Sequence, residues 1–268
     1  MQPSIIVGFL VSFGSLVVSI LIESDWKFQA ILGFFNSAAM ITIFGGIGGV
    51  IMVAFPLEDL KEIPGALKKA FLVVEDINMV AMATRLLTLA QKSRQEGILA
   101  LDGELPTVED EWMRKGLQMV VDGIDRNVIR DVMEQELEEY TRKIGIGPEI
   151  FQQLGGFAPT LGIIGTVMGL VNMLANMEEA SKLGAAISVA FLATFWGILS
   201  ANLIFLPIAA RIKVKNTDLA LTRLAMIEGI LSIHAGESVR ILEEKLKVFM
   251  NHEQRAKFEA DRAGNSPG

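Results

Sequence analysis

Cysteine is absent from this chain of 268 residues, which excludes disulfides, thiolate nucleophiles and Cys-ligated metals. Histidine is almost absent. His234 and His252 both sit in a charged C-terminal block, leaving no basis for a Ser-His-Asp site or a His-rich metal site. No metal site and no cofactor are therefore expected, and an enzyme is the least favoured class. A basic balance is lacking as well. The formal net charge is −7 and the isoelectric point is near 5.0, so no nucleic-acid partner is expected. The most informative gap is regional: long stretches carry no ionisable side chain, while residues 56–148 and 211–268 hold nearly all of them.

What is present is apolar. A hydrophobic content of 51% and a mean hydropathy of +0.44 exceed those of an ordinary soluble domain. Four segments, about 3–22, 28–55, 150–177 and 183–210, are long enough to cross roughly 30 Å of hydrocarbon as helices. The first has no Lys or Arg before Lys27 and no convincing cleavage site after it, so it is read as a retained span rather than a signal peptide. Of the 24 Lys and Arg, 12 lie between Lys61 and Lys143 and 10 between Arg211 and Arg262. The positive-inside rule then places both charged blocks and both termini in the cytoplasm. Trp26 stands where an outer-interface anchor is expected.

The expected fold is all-α: an integral membrane protein with four transmembrane helices and a helical cytoplasmic domain. Residues 1–55 hold the first two spans, 56–148 a cytoplasmic helical domain, 149–210 the last two spans, and 211–268 a cytoplasmic helical tail. Within the loop, 57–72 reads as a short amphipathic helix on the membrane face, and 75–101 as a helix. Thr107 and Asp110 form a T-x-x-D pair that would open another helix, ended by the Asp122-Gly123 turn. A charged helix over 125–143 follows, and the tail is expected to break near Ala235-Gly236.

Gly162, Gly165 and Gly169 share one side of the third span, as Ala193, Gly197 and Ala201 do in the fourth. Small-residue stripes let helices approach closely in lipid, and ordinary packing accounts for any one of them. Pro159 and Pro207 lie inside these spans and each displaces the carbonyl four residues earlier, Gly155 and Leu203. Thr160, Thr166, Ser188, Thr194 and Ser200 add hydroxyls, which by default bond back to their own helix. No span contains an Asp, Glu, Lys, Arg or His in its interior. An ion carrier needs an intramembrane ionisable group, so if this chain conducts H+ or Na+ another polypeptide must supply the carboxylate.

The dense charges of the loop, among them Arg94, Glu96, Asp102, Glu104 and Glu109-Asp110-Glu111, read first as solvated helix faces; a docking surface for a charged partner is the sharper alternative. At this point the residues resemble a known family. Phe55-Pro56-Leu57 after a glycine-rich span, the run from Ser93 to Leu101, and the run from Gly116 to Gly123 are similar to the flagellar motor stator proteins of the MotA family. The likeness is densest from Ala158 to Leu170, continues through Phe205-Leu206-Pro207-Ile208-Ala209, and resumes at Glu228-Gly229.

The resemblance implies a pentameric ring around a dimer of MotB-type partners, each with a single membrane helix carrying the ion-binding aspartate. It implies that Pro159 and Pro207 are functional prolines near the ion path and that Thr166 and Thr194 match positions that face it in sodium-type relatives. Arg94 takes the place of an arginine that engages the rotor protein FliG. The acidic rotor position, usually glutamate, falls at Asp102, with Glu104 as the alternative. Ion flow would then be converted to torque through charge contacts with the rotor, with membrane lipid as the surrounding partner. An ExbB- or TolQ-type energiser of an envelope machine is the nearest rival, but those relatives have three spans. A secondary transporter would need an intramembrane charge and related halves. A structural scaffold gives no reason for two prolines beside hydroxyl-bearing helices.

Overall fold

The structure is a computed structural model, and it describes residues 3–72, 78–175 and 180–264. Among these residues its regular elements are all helices. Four helical stretches are long and apolar enough to cross a membrane: 4–23, 37–54, part of 126–175 and part of 183–234. The expected helix start at 75 and the end of the third span at 176–177 lie outside the described residues.

Helix α1 (Pro3–Glu23) is the first span. It ends in a tight turn in which Asp25 and Trp26 both adopt positive φ, and the exposed Trp26 ring stands at the end of the span. The second span is not one helix. A short α2 (Gln29–Gly33) is separated from α3 (Ser37–Met40) at Asn36, whose extended backbone and side-chain oxygen, accepting from the amides of Ala38 and Ala39 at 3.0 and 3.1 Å, start a new helix. A wide π-type turn (Ile41–Gly45) and α4 (Gly46–Ala54) complete it.

The segment expected to form one amphipathic helix splits into α5 (Leu57–Leu60) and α6 (Ile63–Phe71), with Pro64 in the first turn of α6, where its missing amide costs nothing. Helix α7 (Met79–Glu96) stops at Gly97, whose φ of +90° only glycine adopts easily. A run of 3-10 turns (Ile98–Thr107) leads to α8 (Glu111–Val121). Thr107 is not the cap of that helix. It closes the 3-10 run, and Asp110 caps α8 by accepting from the Met113 amide at 2.7 Å.

The charged helix and the third span are a single helix, α9 (Arg126–Ala175), which runs through both Pro148 and Pro159. Helix α10 (Ala180–Leu199) passes through a wide turn (Ser200–Phe205) into α11 (Leu206–His234). The tail breaks at Gly236 (φ +65°), as expected, and again between α12 (Val239–Lys247) and α13 (His252–Gly264).

The chain forms two compact units, one of residues 1–74 and 144–214, the other of 75–143 and 215–268. The second has a conventional aqueous core in which Leu86, Leu101, Leu117, Met133, Met226 and Phe258 are sealed from solvent. The first buries fewer large side chains and leaves Ile163, Val167, Val171 and Leu174 of α9 exposed, as expected for helices solvated by lipid or by other chains.

Candidate functional site

In the membrane unit, α9 and α10 meet along the two small-residue stripes. A methyl group added at Gly165 would lie 2.5 Å from Ala193 Cβ, and one at Gly169 would lie 2.7 Å from Ala190 Cβ. From the other side, a Cβ at Gly197 would stand 2.6 Å from the Ala158 carbonyl oxygen. The stripes are thus closed backbone-to-backbone contacts, which only small side chains permit.

This closeness brings the two threonines together. Thr166 and Thr194 share a hydroxyl–hydroxyl hydrogen bond. Thr166 Oγ1 also lies 3.1 Å from the Gly162 carbonyl oxygen and 3.2 Å from that of Ala190, while Thr194 Oγ1 is 3.3 Å from Gly162 O. Two hydroxyls supply two protons for these contacts, so oxygen lone pairs exceed the available donors. Both residues are half-buried. The result is a neutral knot of oxygens, suited to solvating a cation or ordering water, with no charge of its own.

Pro159 is half-buried six residues before Gly165, next to the Ala158 carbonyl that faces Gly197. Pro207 is placed elsewhere. It is exposed and, with Asn202, Leu203, Ile208 and Arg211, lines a cavity shared with α1 and the end of α6. The wide turn before it, closed by the Leu206 amide donating to Ala201 O, takes up the register shift that a proline without an amide imposes. Composition did not signal one further contact: the Trp196 indole donates to the Phe34 carbonyl at 2.6 Å, satisfying the backbone where the second span breaks.

The rotor-facing candidates separate cleanly. Arg94, in the last turn of α7, and Asp102, in the 3-10 run, are exposed and form no ion pair among the described residues. Leu99, between them in sequence, is 76% exposed while Leu101 and Leu105 anchor the run in the core. Glu104 faces inward. Its carboxylate takes Lys92 at 2.7 Å and Arg85 at 3.0 Å, and these hydrogen bonds, from Lys92 first, hold its pKa below the usual 4.5. Nothing in its sequence position distinguishes it from Asp102. Its partners lie 12 and 19 residues away and are found only by folding.

Residues 104–224 match the MotA/TolQ/ExbB proton channel family. Over 258 residues the chain is 33% identical to Motility protein A of Bacillus subtilis, covering 96% of this chain and 94% of that protein. Over 259 residues it is 29% identical to the chemotaxis protein PomA of Vibrio alginolyticus, covering 96% and 98%. Among solved structures, C. jejuni MotAB superposes with a TM-score of 0.85 at 26% identity, covering 94% of this chain and 97% of that one. The flagellar MotAB stator complex of Bacillus subtilis gives 0.83 at 33% identity, covering 94% and 98%.

Proposed function

The chain belongs to the MotA/TolQ/ExbB proton channel family, and from that membership we propose that it works as the multi-span subunit of a flagellar motor stator, forming with a MotB-type partner an ion channel that drives the rotor. Its role is conduction and torque, not catalysis. The observation that carries the reading is the neutral oxygen knot of Thr166, Thr194, Gly162 and Ala190, set in a pair of spans without an ionisable residue. Neutral oxygens solvate an ion in transit, but they carry no charge for the ion to neutralise and restore. The partner's aspartate completes the site, so the channel exists only as a hetero-oligomer.

In this mechanism H+ or Na+ neutralises the partner's carboxylate beside α9 and α10. Neutralisation changes which copy of this chain the carboxylate prefers, and release on the cytoplasmic side restores the charge. Each cycle advances a pentameric ring of these chains around the partner dimer. The ring lies in the inner membrane with both termini in the cytoplasm, where the charged segments meet the rotor protein FliG. Arg94 and Asp102, exposed and unpaired within the described residues, supply the contact charges. Glu104 holds the 3-10 run to α7 through Arg85 and Lys92.

Native mass spectrometry of the tagged chain, extracted gently from its own membranes, tests the reading. Several copies with two copies of a single-span partner are expected. A stable homo-oligomer or monomer under several detergents would overturn it.

A further inference from the structure

Beside Pro207 the membrane unit contains a cavity of about 380 Å³, within the range of ordinary ligand pockets. Its walls are mostly apolar, with Ser4, Ser12 and Asn202 as the neutral polar residues. Ile5 and Phe9 come from α1, Phe71 from α6, and Leu203 and Ile208 from the fourth span, with the Phe9 and Phe71 rings stacked at 5.9 Å. Gly8 leaves part of one wall open, since a Cβ there would meet nothing within 4 Å.

One charged residue lines it. Arg211 is half-buried, forms no ion pair among the described residues, and has a buried Nε without an acceptor. Such a donor calls for an explanation. Lys68 and Lys69, in the same final turn of α6 as Phe71, add positive charge to this end of the spans. An apolar slot ending at a guanidinium with no ion pair among the described residues matches a lipid: an acyl chain in the slot, and a phosphate taking the fork of the arginine. The spanning surface of a second copy matches it poorly, because the interiors of the spans carry no carboxylate to neutralise Arg211.

We propose that this cavity is a binding site for one anionic phospholipid, with Gly8 admitting an acyl chain and Arg211 holding the phosphate. The proposal rests on the membrane placement of the chain but not on its torque. The test is native mass spectrometry of the full stator complex titrated with phosphatidylglycerol and, separately, phosphatidylcholine. The wild type is expected to retain phosphatidylglycerol preferentially. Arg211→Gln should reduce that retention about tenfold and abolish the preference, the loss of a charge-assisted phosphate contact. Arg211→Lys should keep most of it. Gly8→Leu should exclude both lipids while leaving the subunit stoichiometry intact, which separates loss of lipid from loss of the assembly.

Equal retention of both lipids by the wild type, or undiminished binding in Gly8→Leu and Arg211→Gln, would overturn the proposal. The chain's lack of cysteine allows one more arm. Ser12→Cys lines the cavity, and its efficient cross-linking to another protein chain would identify the face as a subunit interface and also overturn the lipid assignment.

Discussion

Two neighbouring carboxylates, Asp102 and Glu104, sit in unlike surroundings, because among the described residues only Glu104 has ion-pair partners. Arg94→Glu and Asp102→Lys should each reduce swimming with a wild-type rotor while leaving stator assembly intact, read by soft-agar motility against membrane-extracted complex. Unchanged motility in both would remove the charge-contact idea. Glu104→Gln should act on stability instead. The folded-state pKa of Glu104 is depressed, so its contribution is present above the unfolded value near 4.5 and is lost as pH falls through the folded pKa. Lys92 is shifted the opposite way, upward from 10.5 by its hydrogen bond to Glu104, so its share is lost only as pH rises through that raised value. The melting difference between wild type and Glu104→Gln should therefore be steady near neutral pH and shrink below about pH 4.5. The difference should be small, because the pair is partly solvated. In the membrane, Thr166→Val preserves shape but removes one hydroxyl from the oxygen knot. Ion flux in vesicles should fall several-fold with assembly unchanged, and undiminished flux would detach the knot from the ion path.

Among the elements, the contact of α9 with α10 is the most demanding. Gly197→Val would drive a side chain into the Ala158 carbonyl, a backbone atom that cannot swing away. Overpacking of this kind costs about 1–3 kcal/mol, and the assembled complex should accumulate poorly in membranes. Gly48→Ala is the matched control. Its added methyl meets nothing within 4 Å, and alanine is the better helix former, so accumulation should match the wild type. The two prolines are absorbed differently. Helix α9 continues through Pro159, whereas Pro207 follows a wide turn. Swimming and flux unaltered by Pro159→Ala would remove that residue from the mechanism.

For the whole molecule, the two units draw on different forces. The aqueous unit has a dense apolar core, and Leu86 within it is fully buried against Gly229. Leu86→Ala should cost about 2–5 kcal/mol through the lost side chain and the cavity left behind. Hydrogen exchange should report that loss in α7 and α11, while protection of the membrane spans stays as in the wild type. Loss of protection across both units together would show that they unfold as one.

Much of this architecture was legible before folding. Four runs without charge must be helices in lipid, because the bilayer offers no other partner for the backbone, and the clustering of basic residues follows from the cost of carrying charge across it. The missing carboxylate was legible for the same reason: a charge in the spans cannot hide in a list of residues. Other features depended on distance in space. Asn36 reads as one polar residue in an apolar run until its side chain is seen capping a new helix and Trp196 is seen satisfying Phe34. Thr107 and Asp110 both fit the capping pattern, and only the length of the preceding 3-10 run decides that Asp110 is the cap. Charge alone marked Arg94, Asp102 and Glu104 as equals. The fold separated them, because a carboxylate between Lys92 and Arg85 is spent on its own chain, while two ions facing solvent keep their charge available to a partner.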